Sequence, residues 1–312
     1  MKVKKHYNFI FTALFIFHFG ILSYFIINNF DSIVSDEIVF ARDQELEIDH
    51  HNGLRTFDSL KENEKAEKIP VLMYHKVIAE EDLSEDIHYN KGKLLSTIVT
   101  LEQFEKQMEF LHDNNFVTLT LKEFQAFMDR KIDVPKNSIL ITFDDGWKDN
   151  FTNAYLILDK YDFKATIFLI TDKIENKQET YIPGSTQYLS RQDIIDGNNV
   201  FSYSSHTHNF HSRDENDLAF LVSKDNESIK KDIQRSIDMI GDNTAFAYPY
   251  GEFNQETIKV LEELNVPMAF TIHDKGMVHP DDNRFTLSRR GIYPSTTIEV
   301  FKNLVMTDVD NN

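Results

Sequence analysis

The sequence predicts an α/β fold in which the main domain is a distorted (β/α)7–8 barrel, preceded by an N-terminal membrane helix and a polar acidic linker. Three observations predict it. Short runs rich in β-branched and aromatic residues alternate with helical patterns from Ile69 to the end of the 312-residue chain, which is typical of a parallel sheet closed into a barrel. An apolar segment lies near the N-terminus, and polar residues follow several of the expected strands.

The composition restricts the possible functions. The chain has 33 Lys and Arg residues against 51 Asp and Glu residues, so its formal net charge is −18. We expect no nucleic-acid partner, because such a protein needs a basic surface for phosphates. The chain contains no Cys, which excludes disulfides, thiolate zinc sites and a Cys nucleophile. Any metal ligands are therefore His, Asp or Glu.

Residues 1–30 combine three early lysines with an apolar segment from Phe9 to about Ile27. Roughly 20 apolar residues span a bilayer as a helix, and basic residues before such a helix stay in the cytoplasm. We expect an uncleaved signal anchor, with a cleaved signal peptide as the alternative. The rest of the chain would then lie at the extracytoplasmic face of the membrane or be secreted to the cell surface.

Residues 31–68 are polar and acidic without sustained periodicity, and we expect a solvated linker there. Residues 69–312 are enough for one large core and form the predicted catalytic domain. The expected strands are Pro70–Tyr74, Phe116–Leu119, Ser138–Phe143, Ala165–Ile170, Val200–Ser204, Ala245–Tyr248, Met268–Ile272 and Leu287–Ile292. The expected helices are Leu101–Asn114, Leu121–Arg130, Asn150–Tyr161, Ser190–Asp196, Glu227–Ile240, Asn254–Leu264 and Thr296–Leu304. Active sites of such barrels lie at the C-terminal ends of the strands.

Two carboxylates follow the strand Ser138–Phe143. Asp144 and Asp145 repel each other and lose solvation at a strand end unless a cation offsets their charge. The alternative is that they only begin a helix, since Asp favours helix N-termini and Gly146 permits the turn.

Three histidines follow the strand Val200–Ser204, namely His206, His208 and His211. Imidazole is the commonest neutral metal ligand in proteins. One Asp with two His leaves positions open for water and substrate, which is typical of a catalytic rather than a structural metal site. The sequence leaves open whether His208 is a ligand.

Aromatic residues follow another expected strand, in the segment Ala247–Gly251. Tyr248 and Tyr250 could form the wall of a groove, since aromatic rings stack on sugar faces, or the segment could be only a rigid turn. The first strand ends in His75, which by itself is unremarkable.

Together these segments resemble the polysaccharide deacetylase (NodB-homology) family from about Pro70 to Leu304. Thr142–Gly146 matches the first motif of the family in full. His206 and His211 match the second motif, although they are spaced by five positions rather than the usual four. This spacing and the segment Phe246–Gly251, which lacks the usual Arg before Pro, are similar to the poly-β-1,6-N-acetylglucosamine N-deacetylase (intercellular-adhesin) branch.

The resemblance implies a metal-dependent hydrolase that removes N-acetyl groups from an extracellular N-acetylglucosamine polymer of the biofilm matrix. Its fold would be the NodB-type barrel. The implied ligands of a divalent cation, with Zn²⁺ expected, are Asp145, His206 and His211. Asp144 would be the general base that takes a proton from water. The backbone N–H of Trp147 would stabilise the oxyanion.

The adhesin branch carries its catalytic His before the first motif, which implies that His75 protonates the leaving amine and demotes His273. Tyr248, Tyr250 and Arg289 would belong to the substrate groove, and Arg289 would orient Asp144 or His75. Ser288 stands where the branch usually has Pro.

Other functions remain open at this point. A deacetylase acting on peptidoglycan or chitin-like oligomers would use the same chemistry. A glycoside hydrolase needs two carboxylates that flank the glycosidic bond, which suits the adjacent Asp144 and Asp145 poorly. An inactive saccharide-binding homologue would not need the carboxylates and the spaced histidines together.

Overall fold

The computed structural model describes residues 18–19, 44–48, 54–57 and 59–306. Residues 1–44 and 45–312 form two units, and in the first of them His18 and Phe19 are helical. Within the described residues, no helix combines the length and apolar character needed to cross a membrane. The predicted signal anchor at residues 1–30 lies outside the described residues except for residues 18–19.

Several described residues in the second half of the predicted linker, within 44–48, 54–57 and 59–68, contact the domain. The Leu46 side chain is buried, and its N–H donates to the carbonyl of Met239 at 2.7 Å. Arg55 donates to both carboxylate oxygens of the buried Glu123. Ala66 donates its N–H to Val134 at 2.9 Å. One buried apolar side chain, one ion pair and backbone hydrogen bonds therefore attach these described residues to the domain.

The segment 69–306 alternates strands and helices, as predicted. Its strands are β1 Val71–Tyr74, β2 Lys76–Ile78, β3 Tyr89–Asn90, β4 Lys93–Leu94, β5 Ile98–Thr100, β6 Val117–Thr118, β7 Ser138–Asp145, β8 Ala165–Leu169, β9 Phe201–Ser205, β10 Phe246–Ala247, β11 Ala269–Phe270 and β12 Arg290–Gly291. Its helices are α1 Glu85–His88, α2 Leu101–Asp113, α3 Leu121–Met128, α4 Tyr155–Lys160, α5 Arg191–Asp196, α6 Phe220–Ser223, α7 Asn226–Ile240, α8 Gln255–Glu263 and α9 Ile298–Met306. A π-helix, Asn150–Ala154, precedes α4.

The helices begin where the sequence has capping residues. Thr100, Thr120, Ser190 and Asn254 each accept a hydrogen bond from the backbone N–H three residues later. These caps satisfy amides that a helix leaves unpaired at its N-terminus. They fix where the chain leaves each strand and turns back across the sheet.

The sheet is parallel and curled into a half-barrel rather than a fully hydrogen-bonded barrel. Its strand order is β11-β10-β9-β8-β7-β1-β12, and β6 also pairs with β7. Between the two ends of this order, Phe270 of β11 forms an isolated parallel bridge with Leu287, which precedes β12. The prediction of a parallel α/β fold is confirmed, whereas the predicted distorted barrel is present as a half-barrel. The small sheets β2-β5 and β3-β4, inserted after β1, were not predicted.

Alternation along the strands separates an inner from an outer face. In β7, Ile139, Ile141 and Phe143 pack with α2 in one hydrophobic cluster, whereas Leu140 packs in another cluster with Phe168. Because side chains alternate with a period of two, Thr142 and Asp144 follow Leu140 on the inner face. Asp144 therefore lies on the inner face at the end of a buried strand.

The turn after β7 breaks this alternation. Asp145 has a φ of 76° and Gly146 a φ of 80°, in the left-handed region that residues with a Cβ rarely adopt. A Cβ on Gly146 would also lie 2.8 Å from the Leu169 side chain. The sharp turn lets two adjacent carboxylates, Asp144 and Asp145, both contribute to the same site.

Candidate metal and catalytic site

Three predicted ligands meet at the C-terminal ends of β7 and β9. The His206 Nε2 and His211 Nε2 atoms lie 3.5 and 3.3 Å from Asp145 Oδ1. One ligand atom from each residue lies within 4.8 Å of the others. Among the described residues, the buried Asp145 Oδ1 has no hydrogen-bond partner. A buried carboxylate oxygen without a donor, facing two imidazole nitrogens, fits a divalent cation.

The protonation of His206 also suits a metal ligand. Its Nδ1 lies 2.7 Å from the carbonyl oxygen of Ala247. A carbonyl only accepts, so Nδ1 carries the proton and Nε2 keeps a free lone pair toward Asp145. Burial lowers the pKa of His206 to about 4, so the ring is neutral at ordinary pH. Neutral imidazole is the form that binds metals.

The other carboxylate is bound by a buried arginine. Arg289 Nη1 and Nη2 lie 2.6 and 2.7 Å from Asp144 Oδ1 and Oδ2, and Arg289 also donates from Nε to Thr271 O. Burial by itself would raise the pKa of Asp144, but the charge and hydrogen bonds of Arg289, together with the neighbouring His206 and His75, outweigh it and hold that pKa well below the ordinary value. Asp144 therefore stays ionised in a buried position, as a base requires.

His75 lies near the same carboxylate, with its Nε2 atom 4.0 Å from Asp144 Oδ2. The π-helix holds the backbone that carries it. Asn150 donates to the His75 carbonyl at 2.7 Å, and Asp149 accepts the Val77 N–H at 2.7 Å. Asn153 donates to the Val77 carbonyl at 2.8 Å. The segment after the first motif thus fixes the end of β1.

His208 does not point at the other ligands. Its Nδ1 lies 2.9 Å from Thr171 Oγ1, and its Nε2 lies 3.8 Å from Asp172 Oδ1. The loop itself is held by Asp232 on α7, whose two carboxylate oxygens accept the N–H groups of His208 and Asn209 at 2.8 and 2.7 Å. The geometry therefore groups His211, not His208, with Asp145.

The two tyrosines of the Tyr-Pro-Tyr-Gly segment have different positions. The Tyr250 ring lies 4.6 Å from the His211 ring, beside the site. Tyr248 is fully buried and stacks on Phe253 at 4.5 Å. The expectation that Tyr248 lines the groove is therefore wrong, because it follows Phe246 at a spacing of two on the outer face, in the cluster with α7 and α8.

Arg289 also differs from its predicted place in the substrate groove. The residue is fully buried, and its guanidinium is used by Asp144, Thr142 and Thr271. It lies where it can orient Asp144, which was its other predicted role. Leu287 precedes it by two on the inner face, so the alternation is the signal that predicts its direction.

Three residues near the site were missed by the sequence analysis or given no side-chain role. The Trp147 indole Nε1 donates to Asp145 Oδ2 at 3.0 Å. Tyr188 stacks on that indole with a centroid distance of 4.4 Å. The Lys76 Nζ atom lies 3.9 Å from the centroid of the Trp147 ring. Tyr188 comes from a loop distant in sequence, which no local motif signals.

Comparisons with known proteins agree with this geometry. The family model described as polysaccharide deacetylase matches residues 131–269, which include Asp144, Asp145 and both ligand histidines. The Bacillus subtilis protein YxkH, classed by name with the polysaccharide deacetylases, is 30% identical over 241 residues, covering 76% of either chain. The chain belongs to the polysaccharide deacetylase family. It is accordingly a hydrolytic enzyme.

Two further relatives add detail to the membership of the polysaccharide deacetylase family. A poly-β-1,6-N-acetyl-D-glucosamine N-deacetylase of Staphylococcus epidermidis is 28% identical over 256 residues, which is 78% of this chain and 85% of the relative. The solved structure of the Streptococcus pyogenes deacetylase PplD in complex with acetate superposes with a TM-score of 0.64 at 25% identity, covering 76% of this chain and 98% of that one. The described fold therefore matches nearly the whole length of PplD, which is itself a deacetylase.

Proposed function

We propose that this deacetylase hydrolyses the N-acetyl groups of a β-1,6-linked N-acetylglucosamine polymer outside the cytoplasm, with a divalent cation, Zn²⁺, held by Asp145, His206 and His211. The observation that carries the chemistry is the unpartnered Asp145 Oδ1, which faces two imidazole nitrogens beside an arginine-bound Asp144. The extracellular location is supported by the basic and apolar residues at 1–30.

The roles of the side chains follow from their environments. A cation bound there supplies the Lewis acidity that polarises the acetamide carbonyl and acidifies the attacking water. Asp144 accepts a proton from that water, since Arg289 keeps it ionised and fixes its plane. The backbone N–H of Trp147, in the turn after Asp145, donates to the oxygen that gains charge.

The acid is His75. Amide hydrolysis needs a proton on the departing nitrogen, because a bare amide anion is a very poor leaving group. His75 is partly exposed at the mouth of the site, and its Nε2 atom lies 4.0 Å from Asp144. It donates a proton to the amine, and the products are acetate and the glucosamine residue of the polymer.

The linkage rests on the branch features and on the Staphylococcus epidermidis relative. The segment lacks the usual Arg before Pro249, and in this chain Arg289 contacts Asp144. A peptidoglycan or chitin-oligomer deacetylase is the second candidate, because the same catalytic groups would serve a β-1,4 substrate. A glycoside hydrolase mechanism would give His206 and His211 no function.

In the test, the purified protein is incubated with β-1,6-linked or β-1,4-linked N-acetylglucosamine oligomers, with and without a chelator. The release of free amine and acetate is measured. We expect amine release from the β-1,6 oligomers, its loss with the chelator and its recovery with Zn²⁺. Preference for β-1,4 oligomers would overturn the proposed linkage. Reducing ends without acetate would overturn the deacetylase chemistry, and chelator-resistant activity would overturn the metal.

A further inference from the structure

The side chain of Trp147 contacts the proposed metal ligand Asp145 directly. The indole Nε1–H donates to Asp145 Oδ2 at 3.0 Å, whereas Asp145 Oδ1 is the oxygen that faces His206 and His211. One oxygen of the carboxylate therefore accepts a hydrogen bond, whereas the other faces the two imidazole rings. This contact involves the indole ring, and it is separate from the backbone N–H of the same residue.

A free Asp carboxylate has little preference between its two oxygens, because rotation about its terminal torsion is broad and roughly two-fold. Restricting this rotation beforehand therefore favours binding of a metal through one chosen oxygen. The indole N–H is a donor only, so it holds Oδ2 and leaves Oδ1 for the cation. Partners that orient a ligand in this way typically change metal affinity or activity by about 10–100-fold.

The indole is itself held in place. Tyr188 stacks on it at 4.4 Å with an interplanar angle of 22°. The Lys76 ammonium lies 3.9 Å from the ring centroid, and Lys76 is 9% exposed, which suits a cation–π contact. The backbone adds two hydrogen bonds, from Leu189 N to Gly146 O at 2.9 Å and from Lys148 N to Gln187 O at 3.0 Å. The loop around Tyr188 therefore fixes the direction of the indole N–H.

We propose that Trp147 is a positioning residue for the metal: its indole orients Asp145 for binding through Oδ1, and Tyr188 and Lys76 hold the indole. This inference rests on the metal assignment in the proposed function, but not on the identity of the sugar polymer. It concerns affinity for the cation, which is measurable without any substrate.

The experiment measures the dissociation constant of Zn²⁺ by competition with a chromogenic chelator. Trp147→Phe keeps a ring for Tyr188 and Lys76 and removes the N–H, and we expect affinity to fall about 10–100-fold. The matched control is Tyr203→Phe, which removes one buried hydrogen-bond donor, to Ile194 O at 3.0 Å, outside the site. We expect its affinity to equal that of the wild type. Circular dichroism and thermal melting verify folding.

A second measurement uses the wild-type protein. Trp147 is the only Trp of the chain, so the fluorescence of the protein reports the environment of this one indole. We expect the emission to change on Zn²⁺ addition with the dissociation constant found by competition, and Asp145→Asn to abolish the change. Unaltered emission at saturation, or equal affinity in wild type and Trp147→Phe, would overturn the inference alone. Equal Zn²⁺ binding by wild type and Asp145→Ala would instead overturn the metal assignment on which both proposals rest.

Discussion

Arg289 and Asp144, 145 positions apart, form a buried ion pair in which two guanidinium nitrogens contact two carboxylate oxygens at 2.6 and 2.7 Å. Both side chains are nearly inaccessible to solvent. A pair of this geometry is planar and directional. It leaves the base ionised and oriented, whereas an unpaired carboxylate at this depth would take up a proton.

The first prediction concerns this pair and the pH dependence of the reaction. In Arg289→Met the desolvation of Asp144 is no longer opposed, so its pKa rises and the ionised base is lost at higher pH. We expect the acidic limb of the kcat/KM profile to move to higher pH and the rate at neutral pH to fall, by at most the roughly 10²–10⁴-fold that general bases contribute. Arg289→Lys retains the charge and should shift the limb less. An identical limb in Arg289→Met would contradict the assignment of Asp144 as the base.

The second prediction separates the two neighbouring histidines. His211→Ala removes a nitrogen 3.3 Å from Asp145 Oδ1, and we expect the purified variant to lose bound metal and acetate release. His208→Ala removes the contact with Thr171 and should retain the metal. Metal content after dialysis, measured by elemental analysis, decides between them. Loss of metal in His208→Ala with retention in His211→Ala would reverse the assignment.

The third prediction concerns Asp149, at the start of the π-helix. Burial raises its pKa to about 7 from an ordinary value of 3.8, although it accepts the Val77 N–H. Between these values the folded protein binds the proton and the unfolded chain does not. The stabilising contribution is therefore complete below about pH 4 and is lost as the pH rises through about 7.

Asp149→Asn lacks this titration. Urea unfolding at several pH values from 4 to 8 should show that the free energy of unfolding of the wild type falls relative to the variant with increasing pH, by at most about 1.4 kcal/mol per pH unit. The exposed Asp217→Asn serves as the control and should parallel the wild type. Parallel curves for Asp149→Asn would show that Asp149 titrates alike in both states.

The fourth prediction follows from the burial of Tyr248. Among the described residues its hydroxyl finds no hydrogen-bond partner, and a buried polar group without one is destabilising by about 1–3 kcal/mol. Tyr248→Phe should therefore leave activity unchanged and raise the free energy of unfolding by about 1 kcal/mol. Tyr250→Ala, which removes the ring beside His211, should lower activity. Reduced turnover in Tyr248→Phe would instead support the original prediction that Tyr248 lines the substrate groove.

Much of the site could be predicted from the sequence, because several of its side chains follow the alternation of inner and outer faces along the strands. His75, Asp144 and His206 each continue the inner face of a strand by a spacing of two, beyond Met73, Thr142 and Ser204. The same rule, applied strictly, would have excluded Tyr248, which shares its outer face with Phe246. The alternation of strands and helices was also sufficient for the parallel α/β class.

Other features had no local signal. Asp145 departs from the alternation because its φ is 76°, and motif resemblance rather than periodicity assigned it. The pairing of Arg289 with Asp144 and the stacking of Tyr188 on Trp147 join distant segments, which only the folded sheet brings together. The insertion with β2 to β5 was not predicted, since strands of two or three residues are too short to show a period.

Leu169 supplies no reactive group, yet the site is built over it. It pairs with Asp145 across β7 and β8, and its carbonyl accepts the His206 N–H at 2.9 Å. Its side chain also leaves no space for a Cβ on Gly146. A larger side chain at position 169 would therefore press on the turn that carries Asp145, so a residue without any reactive group limits the shape of the site.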